Sequence, residues 1–195
     1  MKNTAVFLLL LFACRSEEKV TSTDTISTSG TETTGTTSTT STGSSGGTTS
    51  SFNTADKEFF IAAAQANLAE INLGQMARDK ATGTAVKTFA ERMISDHGQA
   101  NEELKQLALT KGVALPAVVD KDHAKSSDGL SKKVGRDFDK SYMEQMIRDH
   151  EAAVAKFQAA SENASDPDLK AWAARTLPTL QNHLTMAKQI AASSS

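Results

Sequence analysis

"KTFAERMISDH" at residues 87–97 and "KSYMEQMIRDH" at residues 140–150 are one pattern written twice. Lys, Glu, Met, Ile, Asp and His coincide, with Thr/Ser and Phe/Tyr exchanges between them. In each copy the aromatic, the second shared apolar residue and the histidine fall at helical spacing: Phe89, Met93, His97 and Tyr142, Met146, His150. Residues so spaced share one face of a helix, so both stretches predict amphipathic helices that turn their histidine toward a core.

Working outward, the first copy lies in a helix from about Ala85 to Lys111, stopped by Gly112. Its seam is Val86, Phe89, Met93, His97, Ala100, Leu104 and Leu107. The second copy lies in a helix from about Arg136 to Asn163. An earlier helix carries Phe60, Ala64, Leu68, Ile71 and Met76 and ends near Ala81 at a "TGT" break, with Thr54 as the expected N-cap. A later one starts with Asp166 as N-cap and Pro167 in its first turn. It turns Leu169, Trp172, Leu177, Leu180 and Leu184 inward, with Pro178 in its interior. No stretch reads as a strand.

A second repeat sets the architecture. Shifted by 83 residues, "AVKTFAERM" falls on "DLKAWAART", so the first helical pair matches the second. The connector "VALPAVVDKDHAKSSDGLSKKVG" is far longer than the roughly 2–8 residues that join neighbouring helices of an up-and-down bundle, and is expected to hold one short turn after Asp128. It is long enough to return along the bundle as a crossover. The expected fold class is all-α: a ferritin-like four-helix bundle with a long crossover between helices 2 and 3, preceded by a disordered tether.

The rest of the 195 residues reads differently. Lys2 and "AVFLLLLF" have the length and pattern of a signal peptide, too short to span a membrane. "LFAC" closes that run at Cys14, the chain's one cysteine, and resembles the lipobox at which bacterial lipoproteins are acylated, although Phe12 is bulky for the pattern. From Lys19 to Ser51 the chain is almost wholly Thr, Ser and Gly, unable to bury enough apolar area to offset its ordering entropy. Such a tether reaches on the order of 30 Å. The expected divisions are 1–13 signal peptide, 14–51 lipidated cysteine and linker, and 52–195 helical domain. A formal net charge of −2 with no basic face argues against a nucleic-acid partner.

The stretches "LAEINLGQMA", "VKTFAERMISDH", "YMEQMIRDHEAAV" and "TLPTLQNHL" together resemble the bacterial ferritin-like family catalogued as domain of unknown function 4142. That likeness implies a helical bundle in the cell envelope and no established activity. "MIRDHEAAV" is also similar to envelope ferritin-like proteins with His-His in place of Asp-His, for which copper has been proposed.

Helix lengths of roughly 40 Å put His97, His150, Glu70 and His183 near mid-bundle, each on its own helix. Three imidazoles and a carboxylate could hold one transition metal ion: zinc, copper or iron. Asp96 and Asp149, about 100° round from their neighbouring histidines, are placed to accept a hydrogen bond from a histidine of another helix. Met93 and Met146 read as ordinary core, and His123 as a solvent-exposed connector residue. No Glu-x-x-His pair is present, since Ile94, Ile147 and Leu180 stand three residues before the histidines, so no catalytic residue is assigned and an enzyme is not the favoured reading. The sequence favours a structural or protein-binding envelope module whose polar layer serves packing. It would be lipid-anchored, in the outer membrane, facing the periplasm or cell surface, with an envelope protein as partner. The alternative is a metal-binding or redox protein using the mid-bundle histidines.

Overall fold

The computed structural model describes residues 52–193. The signal peptide, Cys14 lipidation and Ser/Thr/Gly linker expected above lie outside the described residues. Among the described residues there are five α-helices and no strand: α1 Thr54–Lys80, α2 Thr84–Lys111, α3 Lys121–Ser131, α4 Gly135–Asn163 and α5 Pro167–Ser193. None of these helices is long and apolar enough to cross a membrane.

The helix ends follow local chemistry, with two corrections. The N-cap of α1 is Asn53 rather than Thr54: the Asn53 side-chain oxygen accepts from the Asp56 N–H at 2.7 Å. Asparagine caps at least as well as threonine, and its one-position lead leaves Thr54 inside the helix. The connector holds a three-turn helix, α3, where a single turn after Asp128 was expected. Its cap is Asp120, whose Oδ1 accepts from the N–H groups of Asp122 and His123. The apolar pattern hid it, because only Leu130 of this helix is buried. Gly112 ends α2 as expected, in the left-handed region at φ 66°. Asp166 caps α5, accepting from Asp168 and Leu169 at 3.1 and 2.9 Å, and α5 continues through Pro178 as one helix.

α1 packs along α2 and α4 along α5, and contacts of α2 with α5 and of α1 with α4 join the pairs. Small residues let α1 and α2 approach closely. A Cβ on Gly74 would come within 2.9 Å of Ile94 Cγ1 and 3.1 Å of the Ala90 carbonyl oxygen.

The two pairs hold each other's turns. Asp56 on α1 accepts from the N–H groups of Ser165 and Asp166, at the α4–α5 turn, at 3.2 and 2.8 Å. Asp139 on α4 accepts from those of Thr82 and Gly83, at the α1–α2 turn, with closest distances of 3.0 and 2.7 Å. Asp56 and Asp139 stand 83 residues apart, as do Thr82 and Ser165, and Gly83 and Asp166. The sequence repeat is therefore a reciprocal pair of caps.

The apolar core divides in two. One cluster gathers Phe89, Met93, Phe138, Tyr142 and Met146; the other Phe60, Leu104, Phe157, Leu169, Trp172 and Leu180. On each long helix the buried polar residues interrupt the change from one cluster to the other. His97 stands between Met93 and Leu104, His150 between Met146 and Phe157, His183 between Leu180 and Ala187, and Asn67 and Glu70 between Ala64 and Leu73.

Candidate metal centre

Three imidazoles from α2, α4 and α5 meet at this interruption. His97, His150 and His183 are 5%, 1% and 1% exposed. Their ring centroids form a nearly equilateral triangle with edges of 5.5, 5.4 and 5.3 Å. One nitrogen of each lies within 4.8 Å of one nitrogen of both others.

Which nitrogens can act as ligands follows from what the others hold. His97 Nδ1 lies 3.0 Å from Asn67 Oδ1, an oxygen that only accepts, so Nδ1 carries the proton. His150 Nδ1 donates to the Met146 carbonyl oxygen at 2.9 Å. His183 Nε2 donates to Asp96 Oδ2 at 2.9 Å. Lone pairs are thereby left on His97 Nε2, His150 Nε2 and His183 Nδ1. The first two face each other at 3.4 Å, and the third is buried with no hydrogen-bond partner. Two opposed lone pairs repel, and an unpartnered buried acceptor costs about 1–3 kcal/mol.

Burial keeps the rings neutral. It pushes His97 well below the ordinary imidazole value, with the other two histidines adding to the effect. It lowers His150 to about 4, His183 contributing. His183 is lowered by burial too, although the Asp96 carboxylate opposes this. Neutral imidazole with its second nitrogen held by an oxygen acceptor is the form in which histidine binds metals.

The donor set therefore fits a transition metal such as zinc, copper or iron. Bonds of roughly 2.0–2.1 Å from a central ion imply nitrogens about 3.5 Å apart. The His97–His150 pair already meets that spacing. One nitrogen of His183 lies within 4.8 Å of one on each of the other two rings, so small side-chain rotations suffice to bring it to bonding distance of a shared ion.

The other candidate residues divide. Asp96 receives a hydrogen bond from a histidine of a neighbouring helix, His183, and also pairs with Arg92 at 3.0 Å. Asp149 is half-buried beside Glu70 and His123, on the α1-facing side of α4, and burial raises its carboxyl above the usual range. Glu70 stays outside the triangle. Its Oε1 is 4.0 Å from His150 Nδ1, the nitrogen committed to Met146, and burial, aided by the Asp149 charge, holds its carboxyl well above the usual range. Met93 and Met146 are fully buried in the apolar cluster, as expected of ordinary core. His123 was expected in solvent; it is half-buried on α3, bonded to Asp120 at 2.9 Å, and lines a cavity with Glu70 and Asp149.

Two residues went unread in the sequence. Asn67 fixes the His97 tautomer, and its signal was a polar residue one turn before Glu70 on the buried face of α1. The Met146 carbonyl does the same for His150, and no side-chain pattern encodes a backbone acceptor.

Two openings reach the triangle. A cleft of about 350 Å³, lined by residues of α2 and α5, includes Arg92, Asp96, His97, Arg175 and His183. A smaller cavity of about 170 Å³, lined mainly by α1 and α4, includes Asn67, Glu70, His97, Asp149 and His150.

A family model described as "Domain of unknown function (DUF4142)" matches residues 41–190 of this chain. No curated protein matches it. Two solved structures are similar in fold. A DUF305 fragment from Deinococcus radiodurans is 14% identical, with 72% of this chain and 97% of that one covered and a TM-score of 0.64. CopM in its Cu(II)-bound form is 20% identical, with the same coverages and a TM-score of 0.62. At these identities the likeness concerns the fold.

Proposed function

The chain belongs to the family of domain of unknown function DUF4142, and from that premise we propose that its helical domain binds one transition metal ion through His97, His150 and His183. The observation that carries this reading is the 3.4 Å approach of His97 Nε2 to His150 Nε2 while both Nδ1 protons are committed elsewhere. The purely structural layer that the sequence favours leaves that pair opposed and His183 Nδ1 unpaired. A cation at the centre relieves both. Copper is the first metal to test, since CopM, similar in fold, was solved with Cu(II).

When bound, the ion would supply a Lewis-acid or one-electron centre. The chain's part is to hold it: Asn67, the Met146 carbonyl and Asp96 orient the three rings, and the two apolar clusters keep water from their buried sides.

The wider reading keeps the ferritin-like bundle with α3 inside its crossover. It is supported by the meeting of the start of α2 with the first turns of α4, at Gly83 and Asp139. The pairing of Lys111, at the end of α2, with Asp166 and Asp168 at the start of α5 supports it further. Helices 2 and 4 then run parallel. It also keeps the acylated Cys14 and tether, which would hold the metal site outside the cytoplasmic membrane.

The test is to purify the protein without chelator, measure metal content, and titrate metal-free protein with Cu(II) and Zn(II). One ion per chain is expected, with uptake lost in His150→Ala. If the wild type takes up no ion, or if His150→Ala loses stability with unchanged uptake, the structural layer is the better account.

A further inference from the structure

Asp96 Oδ2 accepts two hydrogen bonds at once. His183 Nε2 donates from α5 at 2.9 Å, and Arg92 Nε donates at 3.0 Å from one turn earlier on α2. The other two rings of the triangle give their protons to neutral oxygens, the Asn67 amide and the Met146 carbonyl. His183 is thus the ring whose proton a carboxylate holds, and that carboxylate is shared with a guanidinium. Exposure rises along the line. The His183 side chain is 1% exposed, Asp96 24% and Arg92 50%, and all three line the α2–α5 cleft. A charge at the surface therefore reaches a buried ring through two bonds to one atom.

A carboxylate that pulls on an imidazole N–H makes the other ring nitrogen a stronger donor. A guanidinium on the same oxygen takes part of that pull, because one negative charge is divided between two donors. Burial holds His183 below the ordinary imidazole value, the Asp96 carboxylate opposes this, and the Arg92 charge works against the carboxylate. The second copy of the repeat places Gln145 where the first has Arg92.

We propose that Arg92, acting through Asp96 on His183, tunes which charge state of a bound ion the site prefers: it weakens the hold on Cu(II) relative to Cu(I). This rests on the metal reading above. Arg92 touches no ligand nitrogen; it governs how much of the Asp96 charge His183 receives. With Arg92 in place, His183 Nδ1 is the weaker donor and the site is less negative, which disfavours the doubly charged ion more than the singly charged one. Without it, the Asp96 charge falls wholly to His183.

The test measures Cu(II) and Cu(I) affinities of the full chain by competition with a chelator for each ion, the Cu(I) set under anaerobic reducing conditions. Arg92→Gln gives the first copy the residue that the second already has. It should bind Cu(II) roughly two- to fivefold more tightly, as expected from loss of a half-exposed ion pair, with a smaller change for Cu(I). Asp96→Asn should weaken Cu(II) binding by roughly 10–100-fold, and adding Arg92→Gln to it should have no further effect. Arg175→Gln, which removes a charge from the same cleft but not from that oxygen, should leave the ratio of the two affinities as in the wild type. The tuning is overturned, with the metal reading intact, by any of four results for Arg92→Gln. These are an unchanged ratio, equal changes in both affinities, an effect matched by Arg175→Gln, or an effect that persists beside Asp96→Asn. A wild-type chain that binds neither ion removes the metal reading and the tuning together.

Discussion

Each histidine of the triangle is buried in its neutral form, and this makes the metal-free protein sensitive to acid. In the unfolded chain an imidazole binds a proton below its ordinary value near 6.5, whereas folded His150 does so only near 4. Between those values the unfolded state carries more protons, so stability falls as pH drops from about 6.5 toward 4. For His150 alone the loss reaches up to about 3 kcal/mol, and His97 and His183, displaced in the same direction, add to it. Urea denaturation of metal-free protein at several values between pH 7 and 4.5 should show a falling midpoint, and His150→Ala should flatten that slope. A midpoint independent of pH would mean that the rings reach solvent. This tautomer arrangement was only half legible in the chain. Asp96 as the partner of a histidine on another helix followed from helical angles, while Asn67 and the Met146 carbonyl did not, because which atom meets which ring depends on helix rotation and register.

Among the elements, the two hairpins are tied by a single device used twice. Asp139 takes the N–H groups that begin α2, where Gly83 offers no side-chain cap of its own, and Asp56 takes those of the α4–α5 turn. Removing either carboxylate leaves two backbone donors in buried or part-buried positions. Asp139→Ala and Asp56→Ala should each cost roughly 2–3 kcal/mol by chemical denaturation, and by similar amounts, since the repeat relates the two sites. If Asp139→Ala cost less than about 0.5 kcal/mol, as an exposed surface change does, the start of α2 would not meet α4 and the parallel α2–α4 arrangement would fall. The helices and most of their ends were readable, because apolar periodicity, Gly112 and Asp166–Pro167 are local signals. α3 was misread because one buried leucine leaves almost no period to see. The 83-residue repeat was visible, but its use as an exchange of caps was not, since the bonded residues are 56 to 110 positions apart.

At the scale of the whole chain, the metal reading couples binding to folding and the N-terminal reading couples the domain to a membrane. An ion that binds only the folded chain at about a hundred times its Kd adds about 2.7 kcal/mol, which for a domain of this size raises Tm by on the order of 10 °C. The Cys14 reading is checked separately by metabolic labelling with a fatty acid in the producing bacterium. Label should enter the wild type and be absent from Cys14→Ser. An unlabelled wild-type chain would remove the anchor, leaving the domain's own chemistry untouched.

By itself the sequence determined that the domain is helical, where its long helices run, and that three histidines on different helices lie near mid-height, His97 and His150 of them on an apolar face. Those are consequences of period, caps and helical rise, each acting within a few turns of chain. Only the tertiary structure decided that the three imidazoles converge with one nitrogen of each within 4.8 Å of the others, and that Glu70 falls beside His150 Nδ1 and outside the triangle. Convergence to within a few ångströms depends on how far each helix slides and turns against its neighbours, and residues distant in the chain set that together.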